Sequence, residues 1–370
     1  MNLLHRLNRL GILLLCLGVG TAHADKLDDD LQTVWESLWD QRGTPRQLVR
    51  WEGPILYRIH GQDVPRHREH IENALKAATD IAHIHIIDIS SQPDAEANAT
   101  LDLEIVKDSQ LEDNQPCVTY PTQVYNGAFD KVQVKMRNRD AWRCTFHEMM
   151  HVMGVAGHPS GKTVLSYFPY RRDVLMDLDR LMLAAWYSPA MPKHATPLEA
   201  LSVLSQAVSR QNDLDLPSED AVKRTTAFNL RMLQQLEALV TGQGEVPTII
   251  LRSGRASHDF IRSAKPMAAY FVGMAYFRGV IARKNLAAST PWFKRGAEMG
   301  YLPAQIMWAS ALIDGTGVEV DRPAGHAWLT LAAKTGMASV VKFLALAEKK
   351  MSPEELEKAR AFPALEVNPL

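Results

Sequence analysis

Cysteine is scarce in this 370-residue sequence: Cys16, Cys117 and Cys144 are the whole complement. So few thiols exclude both a cysteine-built zinc module and a small disulfide scaffold, which spend several cysteines within a short span. A bilayer-crossing run is missing as well. Spanning takes about 20 apolar residues, and the apolar stretch from Leu10 to Gly20 has 11. Charge of one sign is also absent, since 41 Lys and Arg are interspersed with 42 Asp and Glu. No basic face is left to neutralise a phosphate backbone, so nucleic-acid binding is excluded.

What is present starts at the N-terminus. Arg6 and Arg9 precede the apolar run, and Ala22-His23-Ala24 supplies the small residues a signal peptidase needs. Residues 1–24 therefore read as a signal peptide cleaved after Ala24, and the protein as periplasmic or secreted. Leu15 before Cys16 argues against lipidation there, where a small side chain is the rule. Removing the leader takes two arginines and no acid, moving the formal net charge from −1 to −3. The mature chain keeps Cys117 and Cys144, and in an oxidising compartment two cysteines read most simply as a disulfide.

The length exceeds what one core usually organises, so two domains are expected. Residues 25–50 precede the first strand; they hold no cysteine, so any latency they impose is not through a thiolate. Trp51 to Ile59 alternates as a strand, and Arg66 to Ile81 has helical spacing with Ile71, Ala74, Leu75 and Ala78 on one side. Ile84 to Ile89, Thr100 to Val106 and Val132 to Met136 read as further strands, with an edge segment around Cys117 and a helix opening near Asp140. The result is a mixed sheet backed by helices, of the α/β or α+β class, over residues 51–195. His67 and His70 are placed on an exposed face of the first of these helices.

Strand signals stop after Pro197. Residues 196–265 read as a helical connecting region, with long helices over Leu198 to Gln211 and Ser218 to Val240. From Ala268 the chain repeats with a period of 36 residues: Ala268 and Ala304, Gly279 and Gly315, Trp292 and Trp328, Ala297 and Ala333, Gly300 and Gly336 coincide. The logic is a helix pair in which alanines permit close crossing, glycines end helices, and each tryptophan fills the groove to the next unit. Residues 266–350 resemble the Sel-one-like repeats, relatives of the tetratricopeptide repeats, and residues 351–370 form a C-terminal tail. Such a surface fits a protein partner.

The chemistry lies in Phe146-His147-Glu148-Met149-Met150-His151-Val152-Met153-Gly154, which contains HExxH. Residues four apart share a helix face, so the imidazoles of His147 and His151 can grip one zinc ion at about 2.0–2.1 Å. Glu148 is placed to take a proton from water whose pKa zinc lowers to about 7. HExxH also arises by chance in about one protein in a hundred, but here it follows a strand in an exported chain, with Phe146, Met149, Met150 and Met153 supplying a face to bury.

Gly154, three residues after His151, ends that helix in a left-handed turn. This arrangement resembles the metzincin metalloproteases, over roughly Trp51 to Pro189. The resemblance implies an α+β domain, a zinc cofactor, a peptide or protein substrate, and a third zinc ligand three residues after the glycine. Gly157 stands there and His158 one residue later, so His158 is assigned, with Asp173 as the weaker substitute. Thr163-Val164-Leu165-Ser166-Tyr167-Phe168 resembles the metzincin methionine turn with Leu165 in place of methionine. Tyr167 would then ligate zinc or stabilise the oxyanion, or be a buried structural tyrosine. Residues 179–187 resemble the closing helix. A Cys117–Cys144 bond would tether the edge strand that metzincins use to align an extended substrate. The order of elements is also similar to an uncharacterised family of bacterial exported domains, many with a degraded zinc motif; this chain keeps the full motif. The expected function is an exported zinc metalloendopeptidase. The alternative is a non-catalytic binding or scaffold protein that works through its repeats.

Overall fold

A computed structural model describes residues 26–40, 43–125, 127–166, 173–211, 214, 216–244, 247, 250, 258–365 and 367. The expected signal peptide and Tyr167 lie outside the described residues. The chain divides into two units, one of Met1–Asp40, Arg46–Ala195 and Ala200–Phe228, the other of Gln41–Pro45, Thr196–Glu199 and Asn229–Leu370. Among the described residues no helix is long and apolar enough to cross a membrane.

Among the described residues the first unit begins with a helix, α1, over residues 26–37. Leu27, Leu31, Val34, Trp35 and Leu38 recur at helical spacing and are at most 3 % exposed, so α1 buries one full stripe in this unit. Part of the segment before the first strand, residues 27–38, thus belongs to the core.

A five-stranded sheet follows, in the order β2-β1-β3-β5-β4. Its strands are β1 (Ile55–Gly61), β2 (Ile86–Asp88), β3 (Leu101–Val106), β4 (Cys117–Tyr125) and β5 (Ala128–Arg137). All neighbours pair in parallel except β4, which runs antiparallel to β5 at the edge. The helices of this unit are α2 (Val64–Ala82), the short α3 (Ala95–Asn98), α4 (Ala141–Val152) and α5 (Asp177–Trp186). One sheet face is apolar, with Ile55, Ile59, Leu101, Leu103, Val132, Val134 and Met136 all nearly inaccessible. The other carries Arg58, His60, Asp102, Glu104 and Gln133, which line a polar cleft of about 530 Å³.

Two local expectations need correcting. The first strand begins at Ile55, not Trp51, because Gly53 and Pro54 interrupt the alternation and Pro54 has no N–H for a ladder. Trp51 is instead buried, its Nε1 donating to the Val152 carbonyl at 2.8 Å. His67 is not exposed either: it is 5 % accessible, and its Nε2 lies 2.8 Å from Asn138 Oδ1.

The second unit is helical, and its helices recur at the sequence period. Leu286–Glu298 and Arg322–Ala333 start 36 residues apart, as do Leu302–Asp314 and Ala338–Glu348. The caps repeat too: Asn285 and Asp321 each accept, through a side-chain oxygen, the N–H three residues on at 3.0 Å, the N-cap bond expected of these residues. Gly279, Gly300, Gly315 and Gly336 all sit at positive φ, where a Cβ is strained. The tryptophans differ from expectation. Trp328 is buried, but Trp292 is half-buried under the Arg295 guanidinium, and Phe293, 1 % exposed, fills the interior in its place. Helix Pro353–Arg360 follows the repeats, and Phe362, Leu365 and Val367 pack on their core.

Candidate metal centre

The centre is built on α4. Helix α4 begins after a salt-bridged corner in which buried Arg137, the last residue of β5, holds Asp140 through its Nε at 2.7 Å. Phe146, Met149 and Met150 face the core, which leaves His147 and His151 one turn apart on the other side. The helix stops at Gly154, whose φ of 103° no Cβ residue adopts readily. A Cβ there would also lie 2.1 Å from the Val49 carbonyl oxygen. The turn places Val155 so that its carbonyl accepts from His151 Nδ1 at 2.6 Å.

The chain then returns with His158. The three Nε2 atoms converge, with His147 to His158 at 3.0 Å, His147 to His151 at 3.2 Å and His151 to His158 at 3.3 Å. His147 Nδ1 lies 2.8 Å from the Val164 carbonyl and His151 Nδ1 2.6 Å from that of Val155. A carbonyl only accepts, so both Nδ1 atoms carry a proton, and in the neutral form of each ring Nε2 presents its lone pair. Lone pairs at this separation repel unless a cation lies between them. Three ligands at about 2.0–2.1 Å around tetrahedral zinc stand about 3.3 Å from one another, and the observed spacing fits that donor set. Burial, aided by the neighbouring imidazoles, holds His151 down at about 3 and His158 far below the ordinary histidine value. Both rings are therefore neutral and able to ligate near pH 7.

Glu148 is 4 % exposed, and its Oε2 accepts the Thr119 hydroxyl of β4 at 2.6 Å. Burial raises its pKa, opposed by His147 and by the Thr119 bond. Next to it the Cys117–Cys144 disulfide joins β4 to α4, so helix and edge strand are held twice, by a covalent bond and by Thr119. Beneath His147, the turn at 163–165 is fixed by buried Asp179 of α5. Asp179 accepts the Thr163 hydroxyl and the N–H groups of Val164 at 3.1 Å and Met176 at 2.9 Å. That turn supplies the Val164 carbonyl to His147, and Leu165 is wholly buried below it. The chain of support thus runs from Asp179 through Val164 to His147, the outer-shell arrangement that orients ligating imidazoles.

The structure brings together His147, His151 and His158, and the group does not include Asp173, which is exposed. Gly157 packs closely on Glu36 and Ser37, where a Cβ would lie 2.4 Å from the Glu36 carbonyl oxygen. Sequence reasoning missed Thr119 and Asp179. A lone threonine in an edge strand and a carboxylate at a helix start carry no distinguishing pattern, because their partners lie 29 and 16 residues away. The polar cleft on the sheet contains none of the three histidines. Its carboxylate Asp102 is already occupied by Arg58, His60 and Gln133.

Residues 31–148 match a family described as "Protein of unknown function (DUF2927)", a match that ends at Glu148, before His151 and His158. No curated protein matches the chain. Among solved structures, a protective antigen of uropathogenic Escherichia coli displaying an SLR fold is 14 % identical, over 60 % of this chain and 52 % of that one, with a TM-score of 0.26. The chain thus spans about half of that protein.

Proposed function

We propose that the first unit is an exported zinc-dependent peptidase of metzincin type, with the metal on His147, His151 and His158 and the catalytic base at Glu148. The observation that carries this reading is the convergence of three buried or half-buried imidazole nitrogens within 3.3 Å, because such a set leaves a fourth tetrahedral position open. Bound zinc would supply Lewis acidity and bring the pKa of a water molecule towards about 7. Glu148 would accept the proton of the attacking water and pass it to the leaving amine, with Thr119 holding the carboxylate in place. The mixed sheet with one antiparallel edge strand, the glycine-ended helix and the buried turn under His147 support the metzincin comparison. Tyr167 remains the candidate for assisting the oxyanion. The disulfide fits an oxidising compartment, and with it the periplasmic or secreted location.

A second reading comes from the other unit. Its regular 36-residue helix repeat is an architecture that serves as a binding surface, and a scaffold that recruits a protein partner needs no chemistry from the first unit. The two readings part on hydrolysis. The mature protein is expected to cleave a mixed peptide library, and Glu148→Gln to cut the rate by at least about 10²-fold while retaining its metal. An inactive wild type with full metal would favour the scaffold.

A further inference from the structure

His147 and His151 are placed by a helix, whereas His158 sits on a loop, and something must hold that loop. We propose that α1 is the clamp: Glu36 and the backbone of Ser37 fix residues 157–161 so that His158 meets the other two imidazoles. The inference rests on the metal reading above and deepens it, making Glu36 a positioning residue for the third ligand.

Glu36 is a carboxylate only 2 % exposed, in the last turn of α1. Its Oε2 accepts the backbone N–H of Ser160 at 2.9 Å and the Ser160 hydroxyl at 3.0 Å, while Gln32 donates to Oε1 at 2.9 Å. The next residue, Ser37, offers its carbonyl to the N–H of Gly157 at 3.0 Å. The loop is therefore held on both sides of His158, at 157 and at 160, by consecutive residues of one helix. A buried charged acceptor taking an N–H makes a stronger bond than a neutral pair does.

The loop's composition answers to the same contact. A Cβ on Gly157 would lie 2.4 Å from the Glu36 carbonyl oxygen and 2.6 Å from Ser37 Cα, and one on Gly161 would lie 1.7 Å from Thr33 Oγ1. Neither glycine has positive φ, so the requirement is space against α1, not backbone freedom. This accounts for the departure from the metzincin spacing: the position that would carry the ligand is used for close approach of α1, and the ligand falls one residue later. A free or cleaved α1 would leave a two-histidine site.

The test uses the full mature chain, with zinc affinity measured by chelator competition, the visible spectrum of the Co²⁺-loaded protein, and amide exchange of the metal-free protein. Glu36→Ala is expected to raise the zinc Kd roughly 10–100-fold, to move the Co²⁺ spectrum towards that of His158→Ala, and to remove protection at the Gly157 and Ser160 amides. Glu36→Gln, which keeps an acceptor for Ser160, is expected to recover most of each. Should Glu36→Ala fail to fold by circular dichroism, Gly157→Ala presses the loop off α1 from the other side and is expected to give the same loss. Wild-type affinity, spectrum and protection in the folded variant would overturn the clamp. If the wild type takes no zinc, the metal reading fails, and the exchange arm alone then decides: protection lost in Glu36→Ala upholds the clamp, and protection retained overturns it.

Discussion

At the scale of single residues, the centre is a cluster of titratable groups kept in unusual states by burial. His151 and His158 are neutral in the folded chain well below the pH at which free imidazole takes a proton. In the metal-free protein the unfolded chain therefore binds protons near pH 6.5 that the native state refuses. Stability is full above that pH and falls as pH drops below it, by at most about 2 kcal/mol per histidine at pH 5. Glu148 acts with the opposite sign. Its raised pKa lets the native state hold a proton that the unfolded state releases, so it supports the fold at low pH and this support is lost as pH rises. Urea unfolding of the metal-free protein between pH 7 and pH 5 is expected to show the midpoint falling, less steeply in His151→Ala and more steeply in Glu148→Gln. A midpoint flat across that range in Glu148→Gln would mean that the imidazoles are not held neutral.

Among secondary-structure elements, the active feature is the join between α4 and β4. The disulfide closes a 27-residue separation, and loop-closure entropy assigns such a link about 3–4 kcal/mol. The double variant Cys117→Ala/Cys144→Ala is expected to unfold with a free energy lower by about that amount, while the Thr119 bond to Glu148 keeps β4 near α4 in the native state. Equal stability of the variant and the wild type would show that the bond constrains nothing.

The elements themselves were readable from sequence where periodicity was unbroken. The alternating β-branched residues of β5 and the one-sided apolar pattern of α2 name their structures directly, and His147, Glu148 and His151 follow from spacing on one helix. Legibility fails where a partner is distant in sequence. Helix α1 has a clear apolar stripe, yet its role at the loop depends on Glu36 meeting Ser160, 124 residues away. His67 has the spacing of a surface residue, but it is buried against Asn138, just after β5. The repeat was legible because its glycines and alanines recur at a fixed spacing. The choice of Phe293 over Trp292 as the buried ring was not, since either aromatic satisfies the pattern.

On the scale of the whole molecule, the two units carry different kinds of order. The first holds a polar centre inside a mixed sheet and helices, and the second repeats a helix pair at a period of 36 residues. Gly317 belongs to the second: it has φ of 73°, and a Cβ there would lie 2.3 Å from the Leu286 carbonyl oxygen. Gly317→Ala is expected to destabilise the helical unit by more than the roughly 1 kcal/mol of a simple glycine effect, seen as a lower thermal transition, with metal content unchanged. Calorimetry paired with metal analysis checks this, and loss of zinc from Gly317→Ala would show that the centre depends on the repeat.

The function proposed for the first unit depends on a single bound ion. X-ray absorption at the zinc edge of purified protein, with metal content determined on the same sample, tests it most directly. The predicted result is one zinc per chain, three imidazole ligands at about 2.0–2.1 Å and one further exchangeable oxygen, with His158→Ala losing one imidazole. A protein without zinc, or zinc held by four protein ligands, would contradict it.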